Sequence, residues 1–123
     1  MATATATLTV NAHPNGVDNT QRRVYYYGVL ALSGGGTYAT NGISLPWSAM
    51  VDPSGAKVIP QAGPNTTQPQ DASFYSSVGG GYGYVFDKTH NTIRIFNGGT
   101  ELINGAAITA DTINFCAEYV RGI

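Results

Sequence analysis

Residues 2–10 alternate between small or apolar side chains and threonines without a break. A period of two with β-branched residues on one parity predicts a β-strand with one buried and one polar face, because alternate side chains of a strand point to opposite sides. A helix cannot satisfy this pattern. The apolar parity contains Ala2, Ala4, Ala6, Leu8 and Val10, and the polar parity contains Thr3, Thr5, Thr7 and Thr9.

Short apolar runs separated by turn residues continue to the end of the chain. Arg22 to Ser33 alternates with apolar or aromatic residues on both parities, which is typical of a central strand or of one facing another subunit. Tyr82 to Phe86 and Thr92 to Phe96 predict a hairpin with a five-residue loop. The final strand begins at Asp111. We therefore predict an all-β fold for residues 1–123.

This single domain is predicted to be a β-sandwich, jelly-roll-like, or a closed β-barrel of about seven to nine short antiparallel strands. Residues 1–12 form an N-terminal strand or a possible extended arm. Residues 60–72 are polar, rich in Pro and Gln, and predict a long exposed loop.

Low charge excludes several classes of partner. Charged residues make up 11% of the chain, whereas a typical soluble domain has about 25%. Six basic and seven acidic residues are spread along it, so no basic patch is expected to hold a nucleic acid or an anionic membrane surface. No apolar run approaches the ~20 residues of a spanning helix, and no export signal is recognisable. We expect a soluble chain that binds neither nucleic acid nor membrane.

Catalytic residue types are scarce. His13 and His90 both lie in turns, where exposure is expected. Cys116 is the single cysteine and lies in an apolar stretch, as a small buried side chain would. Zinc needs three or four Cys or His ligands, and the chain has three such residues in all. We predict no enzyme, no cofactor and no metal centre, although a calcium site built from turn carboxylates stays open.

Two features favour an interface. Tyr25, Tyr26 and Tyr27 are consecutive on one strand, so at least one ring must leave its own sheet face. Tyrosine suits contacts that are partly hydrated, although these rings can equally pack the core and rim of an isolated domain. The candidate interface residues are Thr3, Thr5, Thr7, Thr9, Tyr25, Tyr27, Gln61, Asn65, Gln68 and Gln70.

Several stretches resemble small structural proteins of tailed bacteriophages, some of which are capsid decoration or cement proteins. The resemblance lies in the pattern of strands and turns from Gly28 to Trp47, from Gly83 to Phe96, in Gly99 to Leu102, and in Phe115 to Tyr119. It implies a virion protein made in the host cytoplasm and located on the capsid surface. Its implied partners are the major capsid protein and further copies of itself, a trimer being favoured over a dimer.

The resemblance also suggests how the chain would attach. Residues 2–10 would pair with an edge strand of a neighbour, and residues 60–72 would contact the capsid or lie outermost. Two other functions stay open: a carbohydrate-binding or adhesin module using Trp47 and exposed tyrosines, and a tail or neck component. Trp47 follows Pro46 between apolar residues, which favours a place in the core over a sugar platform.

Overall fold

Nine β-strands and one short 3₁₀ helix organise the residues that the computed structural model describes, which are 3–11, 17–19, 23–33, 36–58, 69–76 and 82–120. The helix spans Trp47–Ala49. The strands are β1 (Ala6–Val10), β2 (Val17–Asn19), β3 (Arg23–Leu32), β4 (Ile43–Ser44), β5 (Asp71–Ser76), β6 (Tyr82–Asp87), β7 (Thr92–Asn97), β8 (Thr100–Glu101) and β9 (Asp111–Val120).

The strands form two antiparallel sheets. In the five-stranded sheet the order is β1-β3-β9-β5, with β2 beside β3, and in the four-stranded sheet it is β4-β7-β6, with β8 beside β7. The prediction of an all-β domain with two packed sheets is confirmed. The alternative of a closed barrel is wrong, because isolated bridges, such as the one between Thr9 and Val51, take the place of a continuous ladder at the sheet edges.

The N-terminal strand belongs to the chain's own sheet. β1 pairs along Gly28–Leu32 of β3, and β2 continues along Val24–Tyr26 on the same side of β3. Residues 6–10 are thus a strand and not a free arm. That residues 2–10 pair with an edge strand of a neighbour stays a prediction, because β3 occupies only one side of β1.

The core lies between the sheets and follows the period of two. On β3 and β9 the buried side chains alternate with partly exposed ones, as the patterns of both strands predict. The four-stranded sheet faces them with Ile93 and Ile95, which are fully buried. Trp47 lies between the sheets and is 1% exposed, which confirms its predicted place in the core.

The β6–β7 hairpin forms as predicted from sequence, but its loop has four residues, 88–91, and not five, because Asp87 pairs with Thr92. Its strands pair from Tyr82 opposite Asn97 to Asp87 opposite Thr92, and the turn ends at Asn91 with a φ of 54°. Asparagine tolerates this left-handed conformation better than most residues. His90 lies in the turn and is exposed, as expected.

Gly28 provides a test of how closely the five-stranded sheet packs. A Cβ added at Gly28 would lie 2.1 Å from the Thr9 carbonyl oxygen and 2.8 Å from the Phe115 ring, so the backbone of β1 would have to move. We expect Gly28→Ala to lower the free energy of unfolding by about 1–3 kcal/mol, measured by urea titration. Gly83→Ala is the control, since its Cβ would meet Phe96 at an ordinary 3.9 Å. Equal stability of the two variants would contradict this packing.

Candidate functional site: the outer face of the five-stranded sheet

The solvent-facing side of the five-stranded sheet carries ten uncharged side chains from four strands. They lie in three rows across the sheet, because the registers of β1, β3, β9 and β5 bring residues distant in sequence opposite one another. This surface is called the outer face below. Its rows are Thr7-Ala31-Thr112, Thr9-Val29-Asn114-Tyr75 and Tyr27-Cys116-Ser73.

Exposure differs along the longest row. Tyr75 on the edge strand β5 is 61% exposed, whereas Val29 and Asn114 on the central strands are half-buried. A large aromatic ring in water, in the same row as a half-buried valine, is an apolar area that a monomer leaves unused. Tyrosine is enriched in protein–protein interfaces, and charged residues are depleted from their cores.

Charges begin only at one end of the outer face. Arg23 Nη1 lies 3.0 Å from Glu118 Oε1, and Asp71 is opposite Glu118 on β5. Tyr25 also lies opposite Glu118. Loss of hydration, together with the Glu118 carboxylate, raises the pKa of Tyr25, so its hydroxyl stays protonated at neutral pH. The outer face is therefore uncharged over three rows and bordered by an ion pair.

Cys116 lies in the middle of the outer face and not in the core. Its side chain is half-buried, and burial raises the pKa of its thiol, while a hydrogen bond with Tyr27 acts in the opposite direction. A protonated thiol is a poor nucleophile. Cys116 is thus a small side chain within the outer face.

The structure brings together part of the predicted interface. Thr7, Thr9 and Tyr27 belong to the outer face, Thr5 and Tyr25 adjoin it, and Thr3 is exposed beyond the start of β1. Gln70 is exposed, and its backbone N–H donates to the Glu118 carbonyl. Gln61, Asn65 and Gln68 lie outside the described residues, as does His13.

Sequence reasoning missed Tyr75, Val29 and Asn114. Phe74 and Tyr75 are consecutive aromatic residues on one strand, so one of them had to face away from the core, and this was the available signal. Their place in the same row as Thr9 depends on three strand registers. One of them, between β3 and β9, pairs residues more than 80 positions apart in the sequence.

The opposite sheet has a different surface chemistry. Asp87, Arg94 and Glu101 form a chain of ion pairs, with Arg94 Nε 2.8 Å from Asp87 Oδ2 and Arg94 Nη1 3.2 Å from Glu101 Oε1. Tyr38 Oη donates to Glu101 Oε2 at 2.6 Å, and burial raises the pKa of Tyr38 to about 12. Each carboxylate in this network has a structural partner.

The carboxylate of Asp111 connects β9 to β6 and to β5. Asp111 accepts hydrogen bonds from Tyr84 Oη at 2.6 Å and from Ser76 Oγ at 3.2 Å. Burial, reinforced by Asp111, raises the pKa of Tyr84. Within the described ranges, no three His, Cys, Asp or Glu side chains lie close enough together to hold a metal ion.

The chain has no detectable relatives in any of three comparisons. No protein family, curated protein or solved structure matches it. Across the described residues there is also no helix with the length and apolar character needed to cross a membrane.

Trp47 gives a direct optical test of the core. The indole is 1% exposed and its Nε1 donates to Asn91 Oδ1 at 2.8 Å. We expect blue-shifted fluorescence that does not respond to added mono- or oligosaccharides, because no sugar can reach a buried ring. Red-shifted emission, or quenching by a sugar, would contradict this burial.

Asp87 should give a defined acid dependence of stability. The His90 side chain, with the His90 backbone N–H and Arg94, lowers the pKa of Asp87 from 3.8 to about 2. A lowered pKa in the folded state stabilises the fold above pH ~4, and this contribution is lost as pH falls from about 4 to about 2. We expect Asp87→Asn to lower Tm at pH 7 but to match the wild type at pH 2, as measured by circular dichroism. An equal loss of Tm at both pH values would contradict the assignment.

Proposed function

We propose that this chain is a non-enzymatic virion structural protein that decorates the outside of a phage capsid and bridges major capsid protein subunits through the outer face. The observation that carries the proposal is a Tyr- and Thr-containing surface without charge across four strands, with Tyr75 61% exposed at its rim. The resemblance of the strand and turn pattern to phage structural proteins supplies the identity of the partner.

The outer face suits repeated docking on a rigid lattice. It rests on paired strands, so its side chains need little ordering on binding, which is a main cost of association. Few charges have to be dehydrated, and an unpaired buried charge would cost several kcal/mol. A protein that binds the assembled shell but not the dissociated subunits stabilises the shell by RT ln(1 + [L]/Kd) at each site. Many bridged sites add avidity.

Two observations weigh against the alternatives. Trp47, the tryptophan that the alternative of a sugar-binding site would use together with exposed tyrosines, is buried between the sheets and is in contact with Phe74, Phe86 and Phe115. The described carboxylates of the four-stranded sheet are held in ion pairs and hydrogen bonds that stabilise the fold. A protein-binding module therefore fits these residues better than a hydrolase or a sugar-binding lectin.

Self-association is part of the proposal. A closed symmetric oligomer, a trimer in preference to a dimer, would present several outer faces to neighbouring capsid subunits at once. Sedimentation velocity of the purified protein distinguishes a trimer from a monomer, and sedimentation with expanded capsids that lack the protein measures a saturating ratio. A monomer that does not co-sediment with the capsids of its own phage would contradict the proposal.

Tyr75→Lys tests which face makes the contact. Because Tyr75 is exposed, we expect the free energy of unfolding to change by no more than about 0.5 kcal/mol. A charge in the contact should weaken capsid binding at least about tenfold, equivalent to about 1.4 kcal/mol. Binding is measured by co-sedimentation over a range of protein concentrations.

Val85→Lys is the matched control for Tyr75→Lys. Val85 is 51% exposed on the four-stranded sheet, so the same charge is added to the opposite surface. We expect Val85→Lys to bind capsids like the wild type. If Val85→Lys loses binding while Tyr75→Lys keeps it, the outer face is not the docking surface.

A further inference from the structure

The free edge of β1 contains a run of backbone groups with no partner among the described residues. Thr5 and Asn11 exchange hydrogen bonds with the β3 side, through Ser33 N–H to Thr5 C=O and Asn11 N–H to Tyr27 C=O. In an antiparallel ladder the residues between such pairs direct their N–H and C=O groups to the other side. Ala4, Ala6 and Leu8 therefore present their backbone groups to the edge of the sheet.

This edge is closed at both ends and open in the middle. Ala4 N–H donates to the Thr37 carbonyl at 3.0 Å, and the Leu8 carbonyl accepts from Val51 N–H at 3.3 Å. Between these two contacts remain the Ala4 carbonyl, both backbone groups of Ala6 and the Leu8 N–H. Two acceptors and two donors in alternation are what one short additional strand would pair with.

β4, which lies across the gap from β1, also has backbone groups that its neighbouring strand does not pair. β4 exchanges hydrogen bonds with β7 on either side of Ser44, as the bond from Leu45 N–H to the Asn91 carbonyl shows. The N–H and C=O of Ser44 thus point away from β7. Both walls of the gap between the two sheets therefore present unpaired backbone groups.

A groove of about 560 Å³ occupies this gap and is called the β1–β4 slot below. Among the described residues its lining contains no charged side chain and consists mainly of small residues. The side chains and backbone that line it belong to Thr3, Ala4, Thr5, Ala6, Ala39, Gly42, Ile43, Ser44 and Pro46.

We propose that the β1–β4 slot binds an extended, uncharged segment of another polypeptide, which adds as a strand between β1 and β4. Such a segment would satisfy the free groups of Ala6 on one side and of Ser44 on the other. An uncharged segment with small side chains fits because the slot offers no counter-charge. This recognition site is separate from the outer face and does not depend on the proposed function.

The occupant is not the same edge of a second copy. The backbone around Thr37 and Val51 already lies alongside β1 at both ends of the free run. A second β1 edge approaching in register would collide with both, because a strand edge accepts one neighbour at each position. Only a short extended segment that enters and leaves the slot between these two contacts can pair there.

Amide hydrogen exchange measured by NMR tests the empty slot first. In the free protein the N–H groups of Ala6 and Ser44 should exchange at least about tenfold faster than those of Ala4, Val10 and Leu45, which are hydrogen-bonded. Equal protection of both sets would show that the edge is already paired and would overturn the proposal.

The probe for binding is the capped peptide acetyl-Thr-Ala-Thr-Ala-Thr-amide, since pairing through the backbone requires only an uncharged strand with small side chains. We expect it to slow exchange at Ala6 and Ser44 at least about tenfold. The same peptide with N-methylated alanines is the matched control and should have no effect. No protection by the unmodified peptide at millimolar concentration, or equal protection by both peptides, would overturn the proposal.

Two variants connect the binding to the slot. Ala6→Pro and Ser44→Pro each remove an N–H that faces the slot, and proline is tolerated at an edge position whose N–H is not part of the ladder. We expect Ser44→Pro, at an exposed position, to keep a wild-type circular dichroism spectrum and lose protection by the peptide at Ala6. Ala6→Pro should do the same if it folds. Val85→Lys should keep the protection, and retention of protection in Ser44→Pro would overturn the proposal.

Discussion

The contact of Trp47 with both sheets is the interaction on which the rest of the structure depends. Its ring lies 5.9 Å from Phe115 of β9 and 6.1 Å from Phe86 of β6, measured between ring centroids, so one side chain joins the two layers. Its indole nitrogen also donates to Asn91, which anchors the turn of the β6–β7 hairpin. Most of these ring pairs meet edge to face, a geometry that stabilises aromatic clusters beyond the burial of their area.

This core determines what the five-stranded sheet shows to solvent. Since Phe115 and Tyr119 must face Trp47, the residues that alternate with this parity on β9, which are Asn114, Cys116 and Glu118, have to face outward. The register then places Asn114 beside Val29 and Tyr75. The outer face is thus a geometric consequence of the aromatic core. Its lack of charge is a separate property, because nothing in the packing prevents charged side chains there.

The two sheet surfaces differ in how their charged side chains are arranged. The four-stranded sheet carries the Asp87-Arg94-Glu101 network, which connects β6, β7 and β8 and is extended to Tyr38. In the part of the five-stranded sheet that the structure describes, an ion pair lies at one end, between Arg23 and Glu118. A chain with so few charges has to protect its sheet edges in other ways. The segments around Thr37 and Val51 protect β1 at both ends and leave the slot between them.

The sequence alone was sufficient for local structure. The alternation of residues 2–10 predicted β1. The turn before Thr92 predicted the β6–β7 hairpin, and the apolar neighbours of Trp47 predicted its burial. These features depend on side-chain period and turn preference, which are properties of neighbouring residues. The prediction of exposed threonines on β1 also followed from the period of two.

The tertiary structure alone decided between sandwich and barrel, and it alone assembled the candidate sites. The row from Thr9 to Tyr75 joins four strands whose order no local pattern specifies. The slot exists because β1 and β4 lie at the edges of different sheets, and their free groups depend on which residues pair with β3 and β7. Long-range register is set by how the whole core packs around Trp47, and a single strand sequence contains no information about it.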